Sequence, residues 1–348
     1  MKINRHIKNP LITPNDIIPS RSDMKVIGAF NCGVATYQNE TLLLIRVAEK
    51  YQSPSEEIVG VPVYDDHEKS IIIKLFDRND ETIDFHDPRF VKTKDLLYLT
   101  SMSHLRLARS KDGIHFDIDA KPLMEPSATY EAFGIEDPRI TLIDDVYYIN
   151  YSAISSSGVV TCLATTKDFV KIEKKGIIFL ADNKDVVIFP KKINGLYYAI
   201  NRPVSAYFQR PEMWISTSKD LLFYGNHKLL CSLRAGYFDD TRIGASCVPI
   251  LTEKGWIEIY HGASKDNHYK VGILLLDKND PTKILYRSEL PLIEPEMPYE
   301  KEGFMPNVIF PCGFIVDDDT IKLYYGNCDE NICLATFSLT ELIKSMGI

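Results

Sequence analysis

An Asp-Pro-Arg motif occurs twice in this chain, and each copy opens the same local pattern. Asp87-Pro88-Arg89 and Asp137-Pro138-Arg139 lie fifty positions apart (137 minus 87). A short apolar run, a polar turn and an aromatic-rich alternating run follow each copy, as FVKTKDLLYLTS and as ITLIDDVYYINYS. Repetition at this period, built from short strands, is typical of a radially repeated all-β fold, in which the units meet at a common centre.

Hairpin-like stretches recur along the whole chain. Each has a strand, a turn and an aromatic strand, and they cover residues 33–48, 89–101, 139–152, 186–202, 248–262 and 308–326. Further strands follow, so a unit has roughly four strands, as in a propeller blade. A two-sheet sandwich is the alternative. Because no linker rich in Gly, Pro or Ser occurs, we predict one domain over residues 1–348, with a short N-terminal extension and a helical cap formed by the C-terminal LTELIKSMGI.

Charge, cysteines and missing motifs exclude several classes of protein. The net charge of −8 argues against non-specific nucleic-acid binding. The seven cysteines include no CxxC pair, so we expect buried, reduced thiols. With no signal-like N terminus and no run of about 18 apolar residues, we expect a soluble cytoplasmic protein that binds no membrane. No nucleotide-binding glycine motif, nucleophile elbow or H-x-x-x-H pair occurs, so we expect no metal ion or organic cofactor.

Polar and charged residues stand where the strands of a propeller would enter its centre, because the first strand of each blade lines the axis. These positions carry Asn31, Asp87, Asp137, Lys184, Asp185, Arg242 and Asn307, while Arg46, Arg202, His261 and Asn327 stand at the ends of second strands. The chain also contains 19 Tyr and 16 Phe, which can form aromatic walls. Such a funnel suits hydroxyl-rich sugars, because carboxylates and amides bind hydroxyl groups and aromatic rings cover apolar sugar faces.

Several of these residues also have a structural interpretation. Asp137, which precedes a proline, could cap a turn. Arg139 could pair with nearby carboxylates, and His261 could be a satisfied interior histidine. Lys184 and Arg202 adjoin apolar strand residues, where a cation without a partner is very costly, so each should meet an anion from the protein or from a ligand.

These segments together resemble glycoside hydrolase family 130, the β-mannoside phosphorylases and related β-mannosidases. The resemblance rests on FNCG followed by LLLIRVAE, on GIEDPRI, and on NKDVVIFPKKINGLYYAINRP and RIGASCVPILTEKGWIEIYHG. It continues through YKVGILLLDKNDPTKILYRS, YEKEGFMPNVIFPCG and YYGNCDENICLA, and so spans nearly the whole chain. It implies a five-bladed β-propeller with a central axial active-site funnel. Since six hairpins do not match five blades, we expect one of them to belong to blade closure or to a terminal extension.

The resemblance implies inverting phosphorolysis of β-mannosides, with Asp137 as the proton donor and inorganic phosphate as co-substrate. An inverting hydrolase needs a second carboxylate to activate water, whereas phosphorolysis needs the acid alone and cations that hold the phosphate. The phosphate-binding residues of the family fall on Lys184, Arg202, Arg242 and Tyr269. Its sugar contacts fall on Asn31, Arg46, Asp87 and Asp329, and we add Arg139, Asp185 and His261 to the substrate-binding set.

Two details and several alternatives follow from the resemblance. A close guanidinium lowers the pKa of a carboxyl group, whereas an acid catalyst needs a raised pKa, so we expect Arg139 to turn away from Asp137 or to pair with another carboxylate.

The segments VIGAFNCGVA and RVAEK indicate β-1,2-mannobiose or oligomannan as substrate, and we expect loops 51–57 and 204–212 to shape the acceptor subsite. The alternatives are an inverting β-1,2-mannosidase, a phosphorylase acting on β-1,4-mannosyl-glucose or N-acetylglucosamine, and a carbohydrate-binding propeller without catalysis. Self-association into a homo-oligomer is also open.

Overall fold

The computed structural model describes residues 1–205 and 207–347, and nearly all of its regular elements are β-strands. The first nine strands are β1 (Asn4–Arg5), β2 (Met24–Tyr37), β3 (Glu40–Tyr51), β4 (Ile58–Asp65), β5 (Ser70–Asp77), β6 (Phe90–Lys92), β7 (Leu97–Leu99), β8 (Ser101–Ser110) and β9 (Asp117–Ile118). The next eight are β10 (Gly134–Ile143), β11 (Val146–Ser155), β12 (Gly158–Thr166), β13 (Glu173–Phe179), β14 (Asn183–Ile188), β15 (Tyr197–Pro203), β16 (Met213–Ser218) and β17 (Tyr224–Cys231).

The C-terminal strands and the helices complete the set. The strands are β18 (Arg242–Ala245), β19 (Ile250–Leu251), β20 (Trp256–Ala263), β21 (Tyr269–Leu276), β22 (Ile284–Arg287), β23 (Ile309–Asp317), β24 (Thr320–Asn327) and β25 (Asn331–Ser338). The helices are α1 (Pro298–Lys301) and α2 (Leu339–Ser345), with 3-10 turns at Pro14–Asp16 and Thr129–Glu131. Helix α2 confirms the predicted C-terminal helix, and the Ser338 side chain caps it by accepting a hydrogen bond from the Glu341 amide. None of the described helices is long and apolar enough to cross a membrane.

The strands form five antiparallel groups that follow one another along the chain. Group one contains β2, β3, β8 and β9, group two β10 to β13, group three β14 to β17, group four β18 to β22, and group five β23 to β25. Groups one and two share one sheet, but a single parallel pair, Gly134 with Ser103, joins them. The N-terminal strand β1 pairs with β25 at the edge of group five, so the two ends of the chain meet in one sheet.

Apolar clusters lie between consecutive groups and also between group five and group one. The cluster between groups one and two contains Leu44, Leu107 and Ile149, and the cluster between groups five and one contains Val47 and Leu334. Similar clusters join groups two and three, three and four, and four and five. Because a strand in such a stack has neighbours on both faces, its sequence is continuously apolar, as in the LLLI run of β3.

A buried carboxylate bonded to a tyrosine recurs in groups two, four and five. The three bonds run from Tyr151 to Glu131 (2.8 Å), from Tyr260 to Asp239 (2.8 Å) and from Tyr325 to Glu300 (2.7 Å). Each tyrosine lies on β11, β20 or β24, and each carboxylate lies in the connection that precedes its group. A cation completes every pair: Lys174, Arg287 and Arg5, respectively. Each connection is therefore fastened to its own group.

Five of the six predicted hairpin stretches lie in the five groups, and the sixth does not. Residues 89–101 contain the short hairpin β6–β7, which forms a separate two-stranded sheet, as β4–β5 does. Both hairpins are inserted between β3 and β8. Our expectations that 89–101 is a unit equivalent to 139–152, and that the extra hairpin is terminal or closes a blade, are therefore wrong. Strands β6 and β7, of three residues each, form a sheet only with each other inside this insertion. All seven cysteines are buried and unpaired, as predicted.

Candidate active site

Three of the strands that open a group bend at corresponding points. Strands β2, β10 and β14 each contain a β-bulge, at Phe30–Gly33, Glu136–Arg139 and Lys184–Val187. Inside these bulges Asn31, Asp137 and Asp185 have φ angles of 49°, 49° and 53°. Asn and Asp tolerate this left-handed conformation better than most other residues, and a bulge redirects a side chain out of the regular alternation. The sequence thus brings an amide and two carboxylates to the centre.

These side chains line a cavity of about 430 Å³ that also collects cations and aromatic rings. Its acidic and amide residues are Asn31, Glu136, Asp137, Asp185 and Asp329. Its cations are Arg46, Arg89, Lys184, Arg202 and Arg242. Its aromatic residues are Phe30, Phe90, Tyr269, Phe304 and Phe310. Its size and mixed lining are those of a small-molecule site.

Asp137 is held in place by two donors and is almost fully buried. Asn31 Nδ2 and Arg46 Nη1 each donate to Asp137 Oδ1 at 3.0 Å, which leaves Oδ2 without a bond from either. Arg46 also binds Glu136 Oε1 at 2.6 Å and lies 4.5 Å from the centre of the Phe30 ring. One guanidinium thus orients both carboxylates of the Glu-Asp pair.

The two neighbouring carboxyl groups, Asp137 and Asp329, differ in pKa. Burial raises the pKa of Asp137, but Arg46, Lys184 and Arg139 together outweigh burial and hold it below its ordinary value. Burial dominates for Asp329 and raises its pKa to about 6, with Asp137 and Glu136 adding to the effect and Arg46 opposing it. The free site therefore holds an ionised Asp137 beside a carboxyl group that titrates near neutrality.

The cations differ in how far the protein itself neutralises them. Arg202 Nη1 lies 2.7 Å from Asp185 Oδ2. Within the described residues, Lys184 and Arg242 have no carboxylate within 4.0 Å, and Arg242 contacts the Tyr269 hydroxyl. The cavity therefore offers two cations that an anionic ligand could neutralise, next to a buried arginine.

Asp185 links the cations through a network behind the cavity wall. Its carboxylate lies 3.3 Å from Arg139 Nη2 and 3.3 Å from His261 Nε2, in addition to its contact with Arg202. Burial raises the pKa of Asp185, but the charges of Arg202 and Arg139 and the contact with His261 outweigh burial and hold this pKa well below its ordinary range. A Cβ atom on Gly244 would come within 2.6 Å of Asp185 Oδ2, so only glycine permits this close approach of β18.

Arg139 pairs with a carboxylate other than that of the acid, as expected. Its Nη1 donates to the Asp137 backbone carbonyl at 2.9 Å, and the guanidinium pairs with Asp185. The acid nevertheless has a close guanidinium, because Arg46 occupies that position. A close guanidinium therefore does lower the pKa of Asp137, which an acid catalyst needs to be raised. This guanidinium belongs to Arg46, whereas the sequence had suggested Arg139.

Most of the predicted site residues meet in the cavity. These are Asn31, Arg46, Asp137, Lys184, Asp185, Arg202, Arg242, Tyr269 and Asp329. Arg139 and His261 do not line it: they are 1% and 0% exposed, and their polar atoms bond within the protein. Their assignment to the substrate-binding set stays a prediction. Asn307 and Asn327 do not line the cavity either, and the Asn327 amide donates to the Tyr299 carbonyl.

Asp87 also lies outside the central cavity, and its assignment to the sugar subsite stays a prediction. It precedes β6 in the inserted hairpins, where it pairs with Arg89, and it lines only a neighbouring depression. Its position was inferred from the Asp-Pro-Arg repeat, and that inference fails because β6 does not belong to any of the five groups.

Among the cavity residues that sequence reasoning missed are Glu136, Arg89 and Phe304. The first two lie in or beside the Asp-Pro-Arg copies, so the motif itself could have indicated them, whereas Phe304 belongs to a loop without a repeat signal. Loops 51–57 and 204–212 contribute none of the cavity-lining residues that the structure describes, and Ala206 lies outside the described residues. The expectation that these loops shape the acceptor subsite stays a prediction. The rim is formed instead by residues 89–101 and 304–305.

The sequence is similar to those of several known proteins. A model of glycoside hydrolase family 130, described as beta-1,4-mannooligosaccharide phosphorylase, matches residues 98–347. A beta-1,2-mannobiose phosphorylase of Listeria innocua is 47% identical over 352 residues, which cover 100% of this chain and 99% of that protein. A 1,2-beta-oligomannan phosphorylase of Thermoanaerobacter sp. is 40% identical over 244 residues, which cover 69% of this chain and 80% of that protein.

Solved structures agree with the sequence comparison. The Listeria innocua phosphorylase, solved in complex with beta-1,2-mannobiose, matches with a TM-score of 0.95 over 100% of this chain and 99% of that one, at 47% identity. A structure described under family 130 hydrolases that target beta-1,2 mannosidic linkages in Candida mannan matches with a TM-score of 0.75 at 22% identity, over 97% and 94% of the two chains. The second likeness concerns the fold alone.

Proposed function

The chain belongs to glycoside hydrolase family 130, and from this premise we propose that it is an inverting β-mannoside phosphorylase. It converts β-1,2-mannobiose or a β-1,2-oligomannan, with inorganic phosphate, into α-mannose 1-phosphate and a sugar shortened by one unit. The observation that carries the proposal is the pair of cavity cations, Lys184 and Arg242, that have no carboxylate partner among the described residues. The likeness to the Listeria and Thermoanaerobacter phosphorylases supports the choice of substrate.

The five antiparallel groups are, in this proposal, the five blades of one β-propeller catalytic domain. Three features support this arrangement: the order of the groups along the chain, the apolar clusters that join each group to the next and the last to the first, and the pairing of β1 with β25. The strands that open the groups then surround the axis, and the cavity is its funnel.

The reaction breaks the bond between the anomeric carbon and the bridging oxygen and forms a bond from that carbon to a phosphate oxygen. Phosphate attacks from the face opposite the leaving sugar, which inverts the β-linkage to the α-product. Lys184, Arg202 and Arg242 hold the phosphate, and the Tyr269 hydroxyl adds a hydrogen bond. Asp137 supplies a proton to the departing oxygen, through the 3-hydroxyl of the sugar according to the family resemblance.

Phosphate binding should also raise the low pKa of Asp137, so that this residue can act as an acid. The positive charge of Lys184 is one cause of that low value. A phosphate ion on Lys184 offsets this charge and adds a negative one nearby, and both effects raise the pKa of Asp137. The co-substrate thereby prepares the acid, so protonation of Asp137 follows phosphate binding.

Incubation of β-1,2-mannobiose with and without phosphate tests the proposal. We expect mannose 1-phosphate only when phosphate is present. Equal release of free mannose in both reactions would favour the inverting mannosidase, and tight sugar binding without turnover would favour a non-catalytic lectin-like propeller. Parallel reactions with β-1,4-mannosyl-glucose and β-1,4-mannosyl-N-acetylglucosamine test the alternative acceptors. A cytoplasmic location and independence of metals and organic cofactors stay predictions.

A further inference from the structure

We propose that Ser103 is a positioning residue of the active site: its hydroxyl group holds the Arg46 guanidinium in the orientation that binds Asp137 and Glu136. Ser103 does not line the cavity and is 4% exposed, so it acts through Arg46 and not by contact with the substrate. The inference rests on the proposed function and deepens it, because it concerns how the proton donor of that reaction is oriented.

The guanidinium of Arg46 makes a separate contact through each of its three nitrogen atoms. Nε donates to Ser103 Oγ at 3.1 Å, Nη1 donates to Asp137 Oδ1 at 3.0 Å, and Nη2 donates to Glu136 Oε1 at 2.6 Å. Because the guanidinium is planar and its donors form a rigid fork, a bond at Nε fixes the directions of the other two nitrogen atoms. The Ser103 hydroxyl thereby directs Nη1 and Nη2 at the two carboxylates.

Arg46 needs this restraint because its surroundings offer more than one partner. Three carboxylates, those of Glu136, Asp137 and Asp329, lie close enough to interact electrostatically with its charge. The Arg46 side chain also lines the cavity and is 17% exposed, so the cavity leaves it room to move. A long, flexible side chain loses conformational entropy when it is held in one geometry, and the bond at Nε helps to offset that loss.

The backbone of Ser103 is fixed at the junction of groups one and two. Ser103 pairs with Ala48, two residues beyond Arg46 on β3, so its side chain is a diagonal neighbour of Arg46 on the same face of the sheet. Ser103 also forms the parallel pair with Gly134, at the start of the strand that carries Asp137. A Cβ atom on Gly134 would come within 2.8 Å of the Ser103 amide nitrogen, so this close approach requires glycine. The hydroxyl that orients Arg46 is therefore attached where the two groups meet.

Replacement of the hydroxyl tests this role. Ser103→Ala should lower kcat for phosphorolysis of β-1,2-mannobiose about tenfold, as expected for loss of a hydrogen bond to a charged group. The KM for phosphate should stay near the wild-type value, because Lys184 and Arg242 lie on strands of groups three and four. Ser103→Cys keeps a side chain of similar size but offers only a weak acceptor, so it should lower kcat in the same way. Wild-type kcat in either variant would overturn the proposal.

A second substitution shows whether the effect passes through Arg46. Arg46→Lys removes the Nε–H group that binds Ser103 and should itself lower kcat. In that background, Ser103→Ala should lower kcat no further, because the two residues act as one unit. A further fall of the same size would mean that Ser103 acts by another route, and it would overturn the proposal.

Ser110→Ala is the matched control. Ser110 lies on the same strand as Ser103, is also 4% exposed, does not line the cavity, and accepts a hydrogen bond from the Gly113 amide at 2.8 Å. Its replacement should lower stability in urea unfolding without changing kcat. Equal falls in kcat in the two folded alanine variants would contradict a specific role of Ser103.

The wild-type reaction separates this proposal from the proposed function. Cleavage of β-1,2-mannobiose that does not depend on phosphate would overturn the proposed function alone, because the same comparison of kcat among the variants then applies to hydrolysis. Absence of any cleavage by the wild type would overturn both.

Discussion

At the scale of single residues, Arg46 determines the charge of the acid that it orients. It donates to Asp137 and Glu136 and lies close enough to Asp329 to oppose the rise in its pKa. This cation stabilises ionised carboxylates in a buried site, where burial alone would neutralise them. In the proposed mechanism, proton donation by Asp137 therefore depends on a second event, which is the binding of phosphate at Lys184.

Asp137→Asn should abolish most of the activity without unfolding the protein. The amide preserves the shape and the acceptor for Asn31 and Arg46 but cannot donate the catalytic proton. General acid catalysis contributes about 10²–10⁴-fold, so kcat should fall at least that far. Steady-state kinetics measure kcat, and a thermal unfolding curve shows whether the variant is folded. A folded variant that keeps more than about a tenth of the wild-type kcat would exclude Asp137 from this role.

Lys184→Ala should weaken phosphate more than mannoside. Loss of one charge-assisted hydrogen bond costs about 1.5–3 kcal/mol, which corresponds to a 10- to 150-fold higher KM for phosphate. A lower kcat should accompany it, because the charge also stabilises the transition state. Lys191→Ala, at an exposed lysine outside the cavity, is the control. Wild-type phosphate KM in Lys184→Ala would place the anion site elsewhere.

Asp329 should make the folded protein less stable as the pH rises. Its pKa is about 6 in the folded protein against 3.8 ordinarily, so the folded state binds the proton more tightly. This contribution is fully present below pH 3.8 and is lost as the pH rises through 6, by up to about 3 kcal/mol. Between pH 4 and 7, Asp329→Asn should therefore gain stability relative to the wild type in urea unfolding. A parallel pH dependence of the two proteins would contradict the raised pKa.

At the scale of elements, the repeated carboxylate–tyrosine pairs fix the connections that precede groups two, four and five. Tyr325→Phe removes the hydroxyl from Glu300 while leaving Arg5 in place. A hydrogen bond to a buried charge contributes about 1.5–3 kcal/mol, so the free energy of unfolding should fall by that amount. Tyr286→Phe, a half-buried tyrosine in the same apolar cluster, is the control and should change little. An equal fall in the free energy of unfolding in both variants would contradict a specific stabilising effect of the Tyr325–Glu300 hydrogen bond.

The sequence predicted elements well where a local pattern determines them. Alternation and turn residues located five of the six hairpins, and the C-terminal helix, because strands and turns are set by neighbouring residues. The same reasoning expected Asp87 in the central cavity, since a shared Asp-Pro-Arg does not reveal that the strand after it pairs only within an inserted hairpin. Nor could it assign Arg46 to Asp137, because that contact joins residues from β3 and β10 across the centre. Such pairings depend on how groups pack, which local patterns do not encode.

At the scale of the whole molecule, the five groups bring together in one cavity residues that are far apart in the sequence. Asn31, Asp137 and Lys184 come from groups one, two and three, Arg242 from group four, and Asp329 from the turn between β24 and β25 in group five. No single group contains both the acid and the free cations. Catalysis of the proposed kind is therefore a property of the assembled domain.

The stereochemistry and stoichiometry of the product test this account most directly. Proton and phosphorus NMR spectra recorded during turnover of β-1,2-mannobiose in phosphate should contain α-mannose 1-phosphate from the first time point, in equal amount to the released mannose. That result follows from attack by phosphate opposite the leaving sugar. A β-anomer, or free mannose in excess over the sugar phosphate, would contradict inverting phosphorolysis in this site.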